Sequence, residues 1–321
     1  MKAILINEKG PADNLYIGEL PDPTPGPSEV IIKLAYAGIN HGDVIRRARG
    51  IFPAGRLPPF VLGLEGAGIV AGIGTNVKKF RIGQRVAFLA ESGGYAELAC
   101  VPESQVFALP DAISERSAAA SVCVGLTAWH LVRIANLQPA QRVLVHAGAG
   151  GVGSTLIQLC KSHAIELFTT VGSEEKARFA QELGANHVIN YRTCDFADRT
   201  LELTNGKGVE TIFDCIGRDV VDGNFRCLAR GGQILYYGSA SGHAQFPGDK
   251  ILNNEARITG FVIFGTFRSP TLWQQGVEGL LQALTEGIIR MNIEELPMKD
   301  VVAAHKKLEN RTVHGKMVLR I

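Results

Sequence analysis

The run His146-Ala147-Gly148-Ala149-Gly150-Gly151-Val152-Gly153-Ser154 carries the sharpest chemical signal in this chain of 321 residues. Gly148, Gly150 and Gly153 satisfy G-x-G-x-x-G. The pattern follows an apolar run, Arg142 to His146, and opens a helical pattern from Val152 to His163. In such a turn the first glycine permits the tight bend, the second lets backbone N–H groups approach a pyrophosphate, and the third lets the helix lie close on the strand. Unpaired N–H groups and the helix dipole favour an anion there. A bare G-x-G-x-x-G would fit a plain glycine-rich turn; with a strand before it and a helix after it, dinucleotide binding is the expectation.

The tip of the next strand decides between NAD and NADP. A carboxylate there would hold a ribose 2′-hydroxyl, but the chain reads Thr169-Thr170-Val171-Gly172-Ser173-Glu174-Glu175-Lys176. Ser173 can donate a hydrogen bond to a 2′-phosphate, Lys176 can supply positive charge one turn on, and Tyr191, at the tip of the third strand, can close the pocket. Glu174 and Glu175 weigh against this if they face inward; as first-turn helix acids they complement the dipole instead. The expected cofactor is NADPH.

The reacting end is defined by what is missing. None of the eight histidines forms H-x-x-x-H or H-E-x-x-H, and no C-x-x-C occurs, so spacing offers no zinc site and no metal is expected. Without a Lewis acid, an alcohol oxygen has nothing to polarise it. Hydride transfer to an acceptor that is already electrophilic, a quinone or an enone, remains feasible, because positioning against the nicotinamide supplies most of the catalysis. No catalytic acid or base is assigned.

Those residues need a scaffold, and the chain's length fits about two domains. From Gln141 to Phe264, strands at Arg142–His146, Glu166–Thr170, His187–Tyr191, Val209–Asp214 and Gln233–Tyr237 alternate with helical segments, the order of a parallel, doubly wound α/β sheet. Ahead of it lies a Pro- and Gly-rich region with short β-branched runs such as Glu29–Leu34, Gly68–Gly72 and Arg85–Leu89, which predicts an irregular β-rich domain. Ser114 to Ala135 is Ala-rich and reads as one or two connecting helices. Helical patterns across Leu272–Glu286 and Lys299–Asn310 precede a strand, Lys316–Ile321, expected to return to the first domain. Ile258–Phe267 reads as a long apolar strand at the edge of the cofactor sheet, and a bare edge of that kind needs a cover.

Thirty-three Lys and Arg against 31 Asp and Glu leave a net charge of +2, too balanced for the footprint of a nucleic-acid or anionic-membrane protein. The expected partner is a small molecule. The uncharged stretches Val143–Cys160 and Gly231–Gly248 contain several glycines with His and Gln, and read as buried strands and turns, not spans. No signal or transit peptide is visible at the start. Six widely spaced cysteines fit free thiols in a reducing compartment, which makes the cytoplasm the expected location. Phe52 could stack on a flat acceptor; Arg46, Arg47 and Arg49 are expected to be solvated or to favour an anionic substrate.

The motif order resembles the medium-chain dehydrogenase/reductase superfamily, and within it the zinc-free quinone oxidoreductases related to zeta-crystallin. The matching pieces are Ala37–Asp43, Gly63–Gly68, Gly125–Ala128, the glycine loop, Gly231-Gly232, and Ala304-His305 through Gly315-Lys316. The resemblance implies a Rossmann NADPH-binding domain, 126–265, inserted in a GroES-like substrate domain, 1–125 plus 266–321. It also implies that Asn40 lies beside the nicotinamide, Thr127 contacts the cofactor, Gly150, Gly151 and Val152 meet the pyrophosphate with Gly148 in the same loop, and Gly172, Ser173, Lys176 and Tyr191 surround the adenosine phosphate. Gly238 and Ser239 would touch the nicotinamide ribose, and Phe264 would flank the carboxamide. In the zinc-dependent relatives the motifs around Asn40 and Leu64 would carry Cys and His ligands; Cys123 falls where a third ligand would be and is taken as a core thiol. The implied activity is NADPH:quinone oxidoreduction by a homodimer joined through the edge strand. The alternatives are an alkenal, enone or enoyl-thioester reductase, or an NADPH-binding crystallin-like or RNA-binding protein. The tyrosines frequent in such reductases after Asp43 are absent; the chain reads Val44 to Pro53 without one.

Overall fold

Short β-branched runs punctuated by Pro and Gly become strands, and Ala-rich or amphipathic runs become helices, in a computed structural model that describes residues 1–53 and 57–321. The chain divides into two units, Met1–Leu126 with Thr266–Ile321, and Thr127–Gly265. In chain order the first part contains β1 (Lys2–Ile6), β2 (Tyr16–Glu19), β3 (Glu29–Ile39), α1 (His41–Arg49), β4 (Phe60–Val61), β5 (Glu65–Ile73), β6 (Arg85–Leu89), β7 (Leu98–Pro102), β8 (Val106–Ala108) and α2 (Glu115–Ala135). Next come β9 (Arg142–Val145), α3 (Gly151–Cys160), β10 (Glu166–Val171), α4 (Glu174–Leu183), β11 (His187–Asn190), α5 (Phe196–Leu203), β12 (Val209–Asp214), α6 (Val221–Cys227), β13 (Leu228–Tyr236), α7 (Gly248–Asn254) and β14 (Arg257–Gly260). The chain closes with α8 (Pro270–Thr285), β15 (Ile293–Pro297), α9 (Val301–Glu309) and β16 (Lys316–Arg320).

In the first unit a seven-stranded sheet runs β15-β16-β3-β5-β6-β8, with β7 also paired to β3, beside a small β2-β1-β4 sheet. The C-terminal strand β16 does return to this unit, antiparallel to β3, with Met317 opposite Ile39. On the other side of β3, Gly38 stands opposite Glu65. The end of β3 and the starts of β5 and β16 therefore converge. Gly38 has to be glycine there: a Cβ would overlap the Ala119 carbonyl oxygen and lie 2.6 Å from the Glu65 carboxyl carbon.

In the second unit all pairings are parallel and the order is β11-β10-β9-β12-β13-β14. Numbered from β9 this is 3-2-1-4-5-6, the Rossmann order, whose direction reverses between β9 and β12. Helices cover both faces, so the apolar side chains of the strands alternate between two cores. Val143, Val145, Leu167, Phe213 and Leu235 enter one with Leu156 and Ile157; Leu144, Phe168, Ile212 and Ile234 enter the other with Phe225.

Two expectations change. The stretch Ile258–Phe267 is not one long strand: β14 stops at Gly260, and Ile263–Arg268 winds into a 3-10 helix in which the Gly265 N–H turns back to the Val262 carbonyl at 2.9 Å. A short apolar run without alternation does not distinguish strand from buried turn. The helix after the glycine loop also tightens early, ending at Cys160 with a 3-10 turn over Lys161–His163. Helix α2 is a single helix, long and apolar enough by composition to cross a membrane, but most of it is buried inside the protein.

Within the second unit His130 on α2 is 1% exposed, edge-on to Trp129 and near Phe261, and neither ring nitrogen has a hydrogen-bond partner among the described residues. Burial lowers its pKa from 6.5 to about 4. The unfolded chain therefore binds a proton below pH 6.5 that the native state refuses until about 4, and this residue's share of stability is lost as the pH falls through that window. His130→Phe should raise the unfolding free energy by about 1–3 kcal/mol near neutrality, because an unsatisfied polar ring is removed. The gap should widen by about 3 kcal/mol toward pH 4, which urea unfolding at two pH values would measure.

Candidate functional site

Chain reversal at β9 leaves its C-terminal end open, and the glycine loop sits there. The residue with a left-handed backbone is Ala147, at φ 54°, not Gly148. Gly148 is needed for a different reason: a Cβ on it would overlap the Thr169 hydroxyl of β10 and come within 3.0 Å of its Cβ. At Gly153 a Cβ would overlap the Ala147 carbonyl oxygen and lie 2.9 Å from the Gly148 Cα, so the third glycine sets how closely α3 approaches the loop. Gly150 is the N-cap of α3 and has no side chain to satisfy the first-turn N–H groups of Gly151, Val152 and Gly153. Those donors and the dipole of α3 fit the pyrophosphate of a dinucleotide.

A buried polar chain braces this loop from below. His146, 1% exposed, meets Thr170 Oγ1 through Nδ1 at 3.0 Å and Asn224 Oδ1 through Nε2 at 2.7 Å, while Asn224 Nδ2 donates to Asp214 Oδ2 at 3.1 Å. Asp214 also accepts the N–H groups of Ile216 and Gly217. Because Asn224 gives its donor to the carboxylate, its oxygen faces the ring, so His146 carries its proton on Nε2 and accepts from the Thr170 hydroxyl. Burial lowers the His146 pKa, consistent with a neutral ring.

Beyond β10, Gly172, Ser173, Lys176 and Tyr191 come together at the ends of β10 and β11. A Cβ on Gly172 would stand 2.6 Å from the Tyr191 hydroxyl. Ser173 caps α4, its Oγ accepting the Lys176 backbone N–H at 3.3 Å; its hydroxyl proton stays available to an anion. Glu174 is turned to Asn190, accepting from its Nδ2 at 3.0 Å. Gly238 and Ser239, after β13, lie over the end of β12, where a Cβ on Gly238 would be 2.9 Å from the Cys215 carbonyl oxygen. Thr127 is buried on α2, and Phe264 is half-buried in the 3-10 helix.

Asn40 belongs to the first unit, where it precedes α1 and is 7% exposed. Its Nδ2 donates to Glu65 Oε1 at 2.6 Å, and its Oδ1 accepts from the Lys316 ammonium. Lys316 Nζ also donates to Glu65 Oε1 at 2.7 Å, and Glu65 Oε2 accepts the Cys123 backbone N–H at 2.6 Å. Glu65 is 0% and Lys316 3% exposed. Below them Asp43 accepts the Asn40 backbone N–H at 2.8 Å; burial pushes its carboxyl up to about 6.

Zinc does not fit these residues. The side chains that would have to hold it are the Asn40 amide, already bonded on both sides, the alkyl group of Leu64, and the Cys123 thiol, whose pKa is raised by burial and by Glu65. An ammonium group within bonding distance of Asn40 and Glu65 opposes a second cation. Among the described residues no cluster of three His, Cys, Asp or Glu side chains is gathered.

The arginine expectation needs correction at Arg47, while Arg49 is exposed as expected. Arg47 is 1% exposed and paired with Glu309, with Nη1 3.5 Å from His305 Nδ1, so it is neither solvated nor presented to a substrate. Arg46 donates to the Glu91 carbonyl at 3.0 Å, and Phe52 is stacked on Phe60 at 4.4 Å. Glu65 and Lys316 entered the sequence reading only as motif letters. A carboxylate between Leu64 and Gly66 at the head of an apolar strand was the available signal, since a buried charge requires a partner.

Two family models match the chain: "Zinc-binding dehydrogenase" over residues 151–282 and "Alcohol dehydrogenase GroES-like domain" over 26–111. Quinone oxidoreductase 1 of Escherichia coli (strain K12) is 33% identical over 98% of each chain. The 2-haloacrylate reductase of a Burkholderia species is 32% identical over 99% of this chain and 98% of its own. The solved structure of Escherichia coli quinone oxidoreductase complexed with NADPH superposes with a TM-score of 0.94 at 32% identity, covering both chains fully.

Proposed function

The chain belongs to the medium-chain dehydrogenase/reductase superfamily of oxidoreductases, and from that premise we propose that it is a zinc-independent, NADPH-dependent quinone oxidoreductase. The carrying observation is the glycine loop at the β9–β12 reversal, with its uncapped helix terminus and the Ser173, Lys176 and Tyr191 cluster beside it. A relative solved with NADPH supports the same cofactor. When bound, NADPH supplies the hydride, and a quinone that takes it needs one proton from water to complete the hydroquinone.

The chain's own residues hold and orient. Gly148, Gly150, Gly151 and Val152 bind the pyrophosphate, Gly172, Ser173, Lys176 and Tyr191 the adenosine phosphate, Gly238 and Ser239 the ribose, and Thr127, Phe264 and Asn40 the nicotinamide end. Since the residues around Asn40 do not suit zinc, the acceptor must bring its own electrophilic carbon or carbonyl. The similarity to 2-haloacrylate reductase favours activated alkenes as the second acceptor class. NADPH consumption against quinones, enones and alkenals separates the two; fastest turnover with alkenals would replace the quinone assignment.

Lys176→Ala should weaken NADPH about tenfold while changing NADH less than about twofold, the loss of one charge-assisted contact to the 2′-phosphate. Fluorescence titration with both cofactors measures it; equal losses would remove Lys176 from the pocket. We also propose a two-fold dimer through β14, the edge of the six-stranded sheet, now limited to Arg257–Gly260. Light scattering showing a monomer at micromolar concentration would exclude it. All six cysteines are unpaired, which supports a cytoplasmic location.

A further inference from the structure

We propose that Glu65 and Lys316 are positioning residues that fix the Asn40 amide, so that its second Nδ2 hydrogen is aimed as a donor at the oxygen of the bound acceptor. This rests on the proposed place of Asn40 at the reacting end.

Three neighbouring strand ends supply the parts: Asn40 follows β3, Glu65 opens β5 and Lys316 opens β16. An amide can sit either way round, but not here. Lys316 has only donors, so the Asn40 oxygen must face the ammonium; Glu65 has only acceptors, so the Asn40 nitrogen must face the carboxylate. Turning the amide over would set N–H against ammonium and carbonyl against carboxylate, two repulsions in a site shielded from water. The Glu65 carboxylate is itself held from three sides, by Asn40, by Lys316 and by the Cys123 N–H. Gly38 leaves the space it lies in.

One Nδ2 hydrogen is used on Glu65, and the other keeps a fixed direction because the first cannot move. A donor fixed before reaction stabilises negative charge that grows on an acceptor oxygen during hydride transfer, without reorganisation at that moment. The charge pair thus does for the amide what a metal's coordination shell does for a ligand.

The test uses Glu65→Gln combined with Lys316→Met, which removes both charges together, alongside Asn40→Ala and the triple variant. Unfolding, NADPH affinity, kcat, KM and the side-chain amide resonances of Asn40 are read for each. Asn40→Ala and the charge-pair variant should each lower kcat by about tenfold or more, and the two should change NADPH affinity to the same extent, since both act on one amide. The triple variant should lose no more than Asn40→Ala alone, because both act through one group. Additive losses, or an unchanged kcat in the charge-pair variant while Asn40→Ala is slow, would overturn the positioning role. An unchanged kcat in Asn40→Ala would overturn the site assignment of Asn40 first, and this inference with it. One measurement depends on no charge-pair variant: in the native protein without NADPH, one Asn40 side-chain amide proton should be shifted and protected from solvent exchange. Two freely exchanging protons would contradict the fixed amide even if the charge-pair variant failed to fold.

Discussion

A Gly153→Ala protein should fold and yet bind NADPH about a hundredfold or more weakly, a loss near 3 kcal/mol. The added Cβ meets the loop backbone: it overlaps the Ala147 carbonyl oxygen and lies 2.8 Å from that carbonyl carbon and 2.9 Å from the Gly148 Cα. No side chain can rotate away, so α3 must move off the loop, and overpacking of this kind costs about 1–3 kcal/mol or more. Movement of α3 displaces the N–H groups that an anion would use. Gly150→Ala is the informative contrast, because its Cβ would meet only the Ala147 oxygen at 3.3 Å. Stability should barely change there, while binding suffers from a methyl group in the anion's path. Fluorescence titration with NADPH, beside thermal unfolding, reads both; affinity in Gly153→Ala within about threefold of native would remove the loop from the cofactor site.

Lys316→Met should lower the unfolding free energy by about 3–5 kcal/mol, because it leaves Glu65 buried without its counter-charge. Glu65 is wholly inaccessible, and its remaining donors are one amide and one backbone N–H. Adding Glu65→Gln removes the stranded charge and should recover most of the loss, since replacing both partners of a buried pair is often close to neutral. Denaturant unfolding of the two variants gives the comparison. A loss below about 1 kcal/mol in the single variant would show that the pair is hydrated rather than buried.

The six-stranded unit was legible because its sequence signals are local. A glycine loop, its strand and its helix are contiguous, and the apolar runs Arg142–His146 through Gln233–Tyr237 fall on strands of the six-stranded sheet. The proposed reacting end was less legible because its residues are assembled across the chain. Asn40, Glu65 and Lys316 lie far apart in sequence, and only the pairing of β3 with β5 and β16 brings them together, with Cys123 arriving on α2. Arg47 shows the same limit from another side: an arginine at helical spacing looks solvated until Glu309 and His305 are found beside it. Ile258–Phe267 failed for a third reason, since its apolar letters serve strand and 3-10 turn equally well.

The central claim is hydride transfer from NADPH to an electrophilic acceptor without metal. Its most direct test is the initial rate of NADPH oxidation by a quinone, followed by loss of near-ultraviolet absorbance, before and after exhaustive chelation. The predicted result is clear turnover that chelation leaves unchanged. Turnover that vanishes on chelation and returns with zinc, or tight NADPH binding with no turnover on quinones, enones or alkenals, would contradict it.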